Sequence, residues 1–206
     1  MKFGIIGAGH VSLAIARKLL SGGHEVVLSS RRGASQTADT VAPLGAAAKA
    51  VSVREAATAD IVFLAVPWEE VEHALTDLPP WNGRILIDTT NPFIATSSKY
   101  IVADLGGRSS SAIVADHAPG ARVVKAFNSI LMVNFEKGPT QDGVRRVLFV
   151  SGDDSAAKDE VRSLIESFGY AVIDLGGLED GGRMQQGGGP LAGKDLLLFA
   201  DWRLNG

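Results

Sequence analysis

The chain contains no cysteine, and its four histidines, at positions 10, 24, 73 and 117, are scattered. These absences exclude a disulfide scaffold and leave no ligand spacing of the kind that holds zinc or another metal. Lack of cysteine also fits a reducing compartment, so a cytoplasmic location is the expectation. No run of eighteen apolar residues exists to read as a membrane span, and the N-terminus enters a glycine-broken strand rather than the apolar region of a signal peptide. A net charge of −3 over 206 residues provides no basic footprint for nucleic acid. Neither an internal repeat nor a linker long enough to divide the chain is present. What is there, 46% apolar residues at this length, suffices for one sizeable core and leaves little for a second.

The most informative segment is Gly7-Ala8-Gly9-His10-Val11-Ser12. Lys2 to Gly7 reads as a buried strand, and His10 to Leu20 as a helix with apolar Val11, Ala14, Ile15 and Leu19 at helical spacing. The glycines therefore occupy a strand-to-helix turn. Gly7 permits the tight turn, and Gly9 lets the backbone approach a pyrophosphate that the free N–H groups and positive end of the helix attract. Ser12 stands at the third position of the glycine fingerprint, where it is small enough for close helix–sheet packing.

A second absence selects among nucleotides. About 20 residues past such a turn, an enzyme that uses NAD places an acid on the ribose 2′-hydroxyl. Here the strand Glu25 to Ser30 ends in Arg31 and Arg32, with no acid. Two guanidinium groups and the Ser30 hydroxyl suit a 2′-phosphate through forked, charge-assisted hydrogen bonds, so the residues predict NADP.

Strands and helices alternate onward. The pattern predicts a helix over 34–41, strands over 48–51 and 60–66, a helix over 68–75 opened by Pro67, and a strand over 84–88. Helices follow over 98–105 and 110–116, then strands over 122–126, 146–151 and 170–174. The last two flank a helix that Ser155 is placed to cap. From Gly176 to Gly193 eight glycines in eighteen residues read as a loop or lid, and 191–202 as a terminal helix. The fold class is α/β: a Rossmann-type, doubly wound, mostly parallel sheet in a single domain with a short C-terminal tail. Residues 1–175 form the NADP-binding domain, and 176–206 complete an acceptor site or the interface of a homodimer.

Ligands of such sheets lie beyond the carboxyl ends of the strands. Val66 and Pro67 there provide an apolar wall for a ribose or ring, with Asn91 beside them after the next strand. Lys125 and Asn128 are the polar candidates for a proton-donating or orienting role, although alternation along a strand need not bring them together. Asp88 shares that ambiguity. The pair Asp153 and Asp154 is explained by the positive end of the helix it precedes rather than by a metal.

The glycine turn, His24 to Arg32, Val66-Pro67-Trp68-Glu69 and Gly152-Asp153-Asp154 together resemble the NADPH:deazaflavin (coenzyme F420) oxidoreductase family, to about Asp174. Lys125 to Ser129 is similar to a bacterial branch of that family and to the cytosolic reductase domains of membrane ferric reductases. The resemblance implies NADP contacts from Ala8, Gly9, His10 and Val11 at the pyrophosphate, from Ser30 and Arg31 at the 2′-phosphate, and from Val66 and Ala126 near the ribose and nicotinamide. A basic residue that the family carries shortly after the arginines is Ser35 here. The implied reaction is hydride transfer between NADPH and a deazaflavin or flavin. Reduction of a small carbonyl or imine, or of ferric or quinone acceptors, is the enzymatic alternative, and an NADP-binding redox sensor the non-enzymatic one. Related reductases of small substrates add a helical domain of roughly a hundred residues, for which this chain has no room.

Overall fold

The computed structural model describes residues 1–199. Strands β1 (Lys2–Ile6), β2 (Glu25–Ser29) and β3 (Ala48–Ala50) alternate with helices α1 (His10–Ser21) and α2 (Ala34–Val41). The short helix α3 (Val53–Ala56) precedes β4 (Ile61–Leu64), and a 3-10 turn at Trp68–Glu70 with α4 (Val71–Leu75) precedes β5 (Ile85–Asp88). Beyond β5 come a hairpin of β6 (Phe93–Ala95) and β7 (Tyr100–Val102), then α5 (Ser110–His117) and β8 (Arg122–Ala126). The chain continues through α6 (Met132–Glu136), β9 (Thr140–Gln141), β10 (Val144–Gly152), α7 (Ser155–Ser167), β11 (Ala171–Asp174), α8 (Asp180–Gln185) and β12 (Leu197–Leu198).

The main sheet runs in the order β11-β10-β8-β5-β4-β1-β2-β3. From β3 to β8 every pairing is parallel, whereas β10 joins antiparallel to β8 and carries β11 parallel beside it. The order reverses between β1 and β4, which opens a crevice at their carboxyl ends, as expected of the doubly wound fold. Alternation divides the strand side chains between two cores. Phe3, Ile5, Phe63, Ile87 and Val124 pack under α1 and α7, while Ile6, Val62, Leu64 and Leu86 pack under α4 and α5 with Val71, Leu75 and Val114.

Four expectations from the pattern are corrected. Segment 98–105 is not a helix: β-branched Ile101 and Val102 favour a strand, and the Thr96 hydroxyl donates to the Lys99 carbonyl and accepts its N–H, closing a hairpin. Helix α7 is capped by Asp154, whose carboxylate accepts the Ala157 N–H at 2.7 Å, rather than by Ser155. Segment 176–193 is not a structureless loop but contains α8. Within the described residues the terminal segment holds β12, which pairs antiparallel with β10 and is fastened by the Asp195 carboxylate on buried Arg146 at 2.9 Å. The remainder of the expected terminal helix, 200–202, lies outside the described residues. Strand β9 was unexpected, although Asp142-Gly143 signals it: both residues have positive φ, 52° and 79°, which suits a two-residue hairpin turn.

Candidate functional site

The site begins where β1 meets α1. Gly7 has φ of +125°, and a Cβ on it would lie 2.1 Å from the Ala65 carbonyl oxygen at the end of β4, so only glycine lets the two strand ends come this close. Gly9 differs. Its φ of −90° is available to any residue, and nothing lies within 4 Å of where its Cβ would be. It is the N-cap of α1, no side chain caps the helix, and its first turn contains no acid. The N-terminal N–H groups of a twelve-residue helix therefore open onto vacant space that a side chain at Gly9 would fill. Beneath them the buried Ser12 hydroxyl has no hydrogen-bond partner among the described residues.

From this turn a cleft of about 790 Å³ crosses the ends of β2 and β4 and continues between α3 and α4. Gly7, Ala8, Gly9, Ser30, Arg31, Arg32, Val66 and Pro67 all line it, so the structure gathers these sequence candidates on one wall. Val53, Ala74 and Leu78 form an apolar far end suited to a flat ring, and Ala95 of the hairpin reaches its rim. Arg31 forms an ion pair with Glu70. The Ser30 hydroxyl is bonded to Thr37 Oγ1 at 2.7 Å and accepts the Arg32 N–H at 3.3 Å. His10 faces away: its Nε2 meets the Glu136 carboxylate of α6 at 3.0 Å, and its side chain is outside the cleft. The Val11 side chain packs on the core rather than into the cleft.

At the other strand ends lies a closed polar network. Asp88 and Lys125 are register partners on neighbouring strands, so alternation places both on the same face. Both are wholly buried, and Lys125 Nζ donates to Asp88 Oδ2 at 3.0 Å, to the Thr90 carbonyl at 3.1 Å and to Ser110 Oγ at 3.1 Å. Asp88 also accepts from Ser111 Oγ and from the N–H and hydroxyl of Thr90. All three ammonium protons have acceptors, and the expected proton-donor role of Lys125 finds no geometric support. Ala126 is likewise wholly buried and presents no surface to a ligand, against the contact expected of it.

Phe127, at φ of +64°, turns the chain sharply after β8, a conformation uncommon for a bulky residue. Asn128 then reaches Asn91: its Nδ2 donates to Asn91 Oδ1 at 3.1 Å and to the Gln185 carbonyl at 2.8 Å, while Asn91 Nδ2 donates to the Asn128 carbonyl at 2.9 Å. Asn128 Oδ1 and Gln185 Oε1 are buried without partners among the described residues. Sequence reasoning missed the far end of the cleft, the hairpin rim, Glu70 and Gln185. Of these, only Glu69-Glu70 after Pro67 gave a signal, an acidic pair just beyond a strand end.

Residues 2–92 match the protein family described as NADP oxidoreductase, coenzyme F420-dependent. Over 97% of its length the chain superposes on a hypothetical protein from Sinorhizobium meliloti, covering 96% of that chain with 36% identity and a TM-score of 0.88. It also superposes on a protein from Arthrobacter sp. FB24 provisionally named an F420-dependent NADP reductase, at 28% identity and a TM-score of 0.75, over 86% of both chains. Among curated proteins, Metalloreductase STEAP3 of Rattus norvegicus is 30% identical over 178 residues, 86% of this chain and 34% of that protein. The chain thus spans about a third of the length of the curated relatives it matches. Glycine turn, crevice position and family match agree, and it is residues 2–92 that carry the coenzyme F420-dependent NADP oxidoreductase family's sequence.

Proposed function

We propose that the cleft binds NADPH and that the protein transfers its hydride to a planar acceptor of the deazaflavin or flavin class. The vacant space over Gly9, faced by the N–H groups of α1 and continuous with Arg31 and Arg32, carries the cofactor half of this reading. It is a cradle that a Cβ would fill, and its donors suit a pyrophosphate. Arg31 and Arg32 would hold the 2′-phosphate, Val53, Ala74 and Leu78 would enclose the adenine, and Val66 and Pro67 would support the ribose. NADPH, when bound, supplies a hydride.

The acceptor half is supported by the chemistry that the strand ends lack the means to perform. A developing alkoxide or amine calls for a proton donor or a fixed electrostatic stabiliser. Lys125 is buried with every proton committed, and the Asn91 and Asn128 amides are tied to each other and to the tail. Such a site orients and excludes water without delivering a proton, which suits transfer between two rings held in register. Glycine-rich segment 176–193, seated on these strand ends, would form the base of the acceptor half.

Stopped-flow oxidation of NADPH against deazaflavin, flavin, quinone, ferric and small-carbonyl acceptors tests the proposal. The expected result is rapid transfer to a deazaflavin or flavin, with a rate that changes little between about pH 6 and 8. Similarity to metalloreductases makes the ferric arm the one to compare most closely. Turnover of a carbonyl or imine alone would overturn the reading.

A further inference from the structure

One cleft residue carries a charge of the same sign as the ligand proposed for it. Glu70 ends the 3-10 turn after β4, and its carboxylate accepts from Nη1 of Arg31 in an ion pair. Both side chains line the cleft, with Glu69 beside them. The two positions are thirty-nine residues apart, and the crevice between the strand ends brings them together. Ser30, the other side chain expected at the 2′-phosphate, has its hydroxyl engaged by Thr37, whose own proton goes to the Gly33 carbonyl at 2.7 Å. Arg31 and Ser30 of the 2′-phosphate subsite are thus both engaged within the protein, and the arginine is held by an acid.

A guanidinium binds phosphate best through two parallel N–H groups, and Glu70 holds Nη1, one nitrogen of the end-on fork. A phosphate carrying nearly two charges on Arg31 would also face the Glu70 carboxylate at short range. We propose that Glu70 is a specificity-determining residue that works against the 2′-phosphate: it occupies Arg31 in the free protein, must leave when the phosphate arrives, and so narrows the preference for NADPH over NADH. The inference rests on the reading of this cleft as an NADP site. A cofactor with a free 2′-hydroxyl leaves the ion pair intact, so the charge on Glu70 has little effect on NADH. For NADPH the carboxylate is a built-in competitor that takes the arginine back when the dinucleotide departs, which hastens release.

Calorimetric titration of NADPH and NADH into the native protein, Glu70→Gln and Arg31→Ala tests this, with a thermal melt of each variant to confirm folding. Glutamine keeps the shape of the side chain and removes its charge. Glu70→Gln is expected to tighten NADPH about three- to tenfold, in line with release of one partly exposed pair plus relief of repulsion, and to move NADH by less than about twofold. Arg31→Ala is expected to weaken NADPH alone. Unchanged or weaker NADPH binding in Glu70→Gln, with the selective loss in Arg31→Ala preserved, would overturn the role of Glu70 and leave the cofactor reading standing. Equal losses of both cofactors in Arg31→Ala would overturn the two together.

Discussion

Glycine is concentrated in two stretches of the chain, the turn after β1 and segment 176–193, and its absent side chain serves different ends in them. Above Gly9 the space is vacant to 4 Å, so what the missing Cβ leaves is room for an external molecule. In the second stretch, from Gly177 to Gly189, that room is already taken. A Cβ at Gly181 would lie 2.5 Å from the Leu175 carbonyl oxygen and 2.6 Å from Ser151 Oγ, and one at Gly187 would lie 2.5 Å from the Phe93 ring. Buried Gln185 pins this stretch through Nε2 to the Lys125 carbonyl and to Ser151 Oγ, and the Gly187 N–H reaches Asn91 Oδ1 at 2.7 Å. A high glycine count therefore signals looseness in neither place. In the first, Gly9 leaves space open to a ligand, and in the second the glycines let a segment pack closely against the strand ends.

Substitutions can break this contrast, and the largest effect is expected beneath the second stretch. Lys125→Met would leave Asp88 buried without its counter-ion, at a cost of about 3 to 5 kcal/mol in a urea unfolding experiment. A loss under about 1 kcal/mol would mean that the network tolerates an unpaired carboxylate. In the first stretch, Gly9→Val is expected to cost about 1 kcal/mol of stability, as Val is a poor N-cap, and to leave the protein folded while weakening NADPH at least about 100-fold, roughly 2.7 kcal/mol of binding. Retained affinity would remove Gly9 from the site. Gly181→Ala reverses that pattern. Overpacking against Leu175 and Ser151 should cost about 1 to 3 kcal/mol of stability, with NADPH affinity in the folded fraction little changed.

The smallest effect lies at Asp174, at the end of β11 just before the second stretch. Partial burial acts to raise the pKa of its carboxyl, but the Gly176 N–H at 2.8 Å and the ammonium of Lys158, with Arg162 beyond, outweigh that and hold it below the ordinary value of 3.8. A depressed carboxyl stabilises the fold above its unfolded value, and that contribution disappears as pH falls through its folded value. Asp174→Asn should therefore cost less than about 1 kcal/mol at pH 7, with the difference from the native protein shrinking by about pH 3. A difference that persists in acid would assign the effect to packing.

Much of the cofactor half was legible because its determinants are local. Apolar runs such as Ile61–Leu64 reveal parallel strands, and a glycine turn followed at fixed distance by Arg31 and Arg32 needs no knowledge of the rest of the chain. The other half depends on register. That Asp88 lies opposite Lys125, with Ser110 and Ser111 above them, follows from how β5 and β8 align, and alternation within either strand cannot reveal it. The same holds for Glu70 on Arg31. In 98–105 the turn chemistry of Thr96 and Lys99 outweighed a pattern compatible with a helix, and the glycines of 176–193 gave no hint of the surfaces they pack against.

The central claim is that the vacant space over Gly9 and the arginines at the end of β2 together form an NADP site. Its most direct test is calorimetric titration of the native protein with NADPH and with NADH under the same salt. The account predicts tighter binding of NADPH by at least about tenfold, since charge-assisted hydrogen bonds to the 2′-phosphate contribute roughly 1.5 to 3 kcal/mol even with Glu70 in competition. Equal affinities, or tighter binding of NADH, would contradict it.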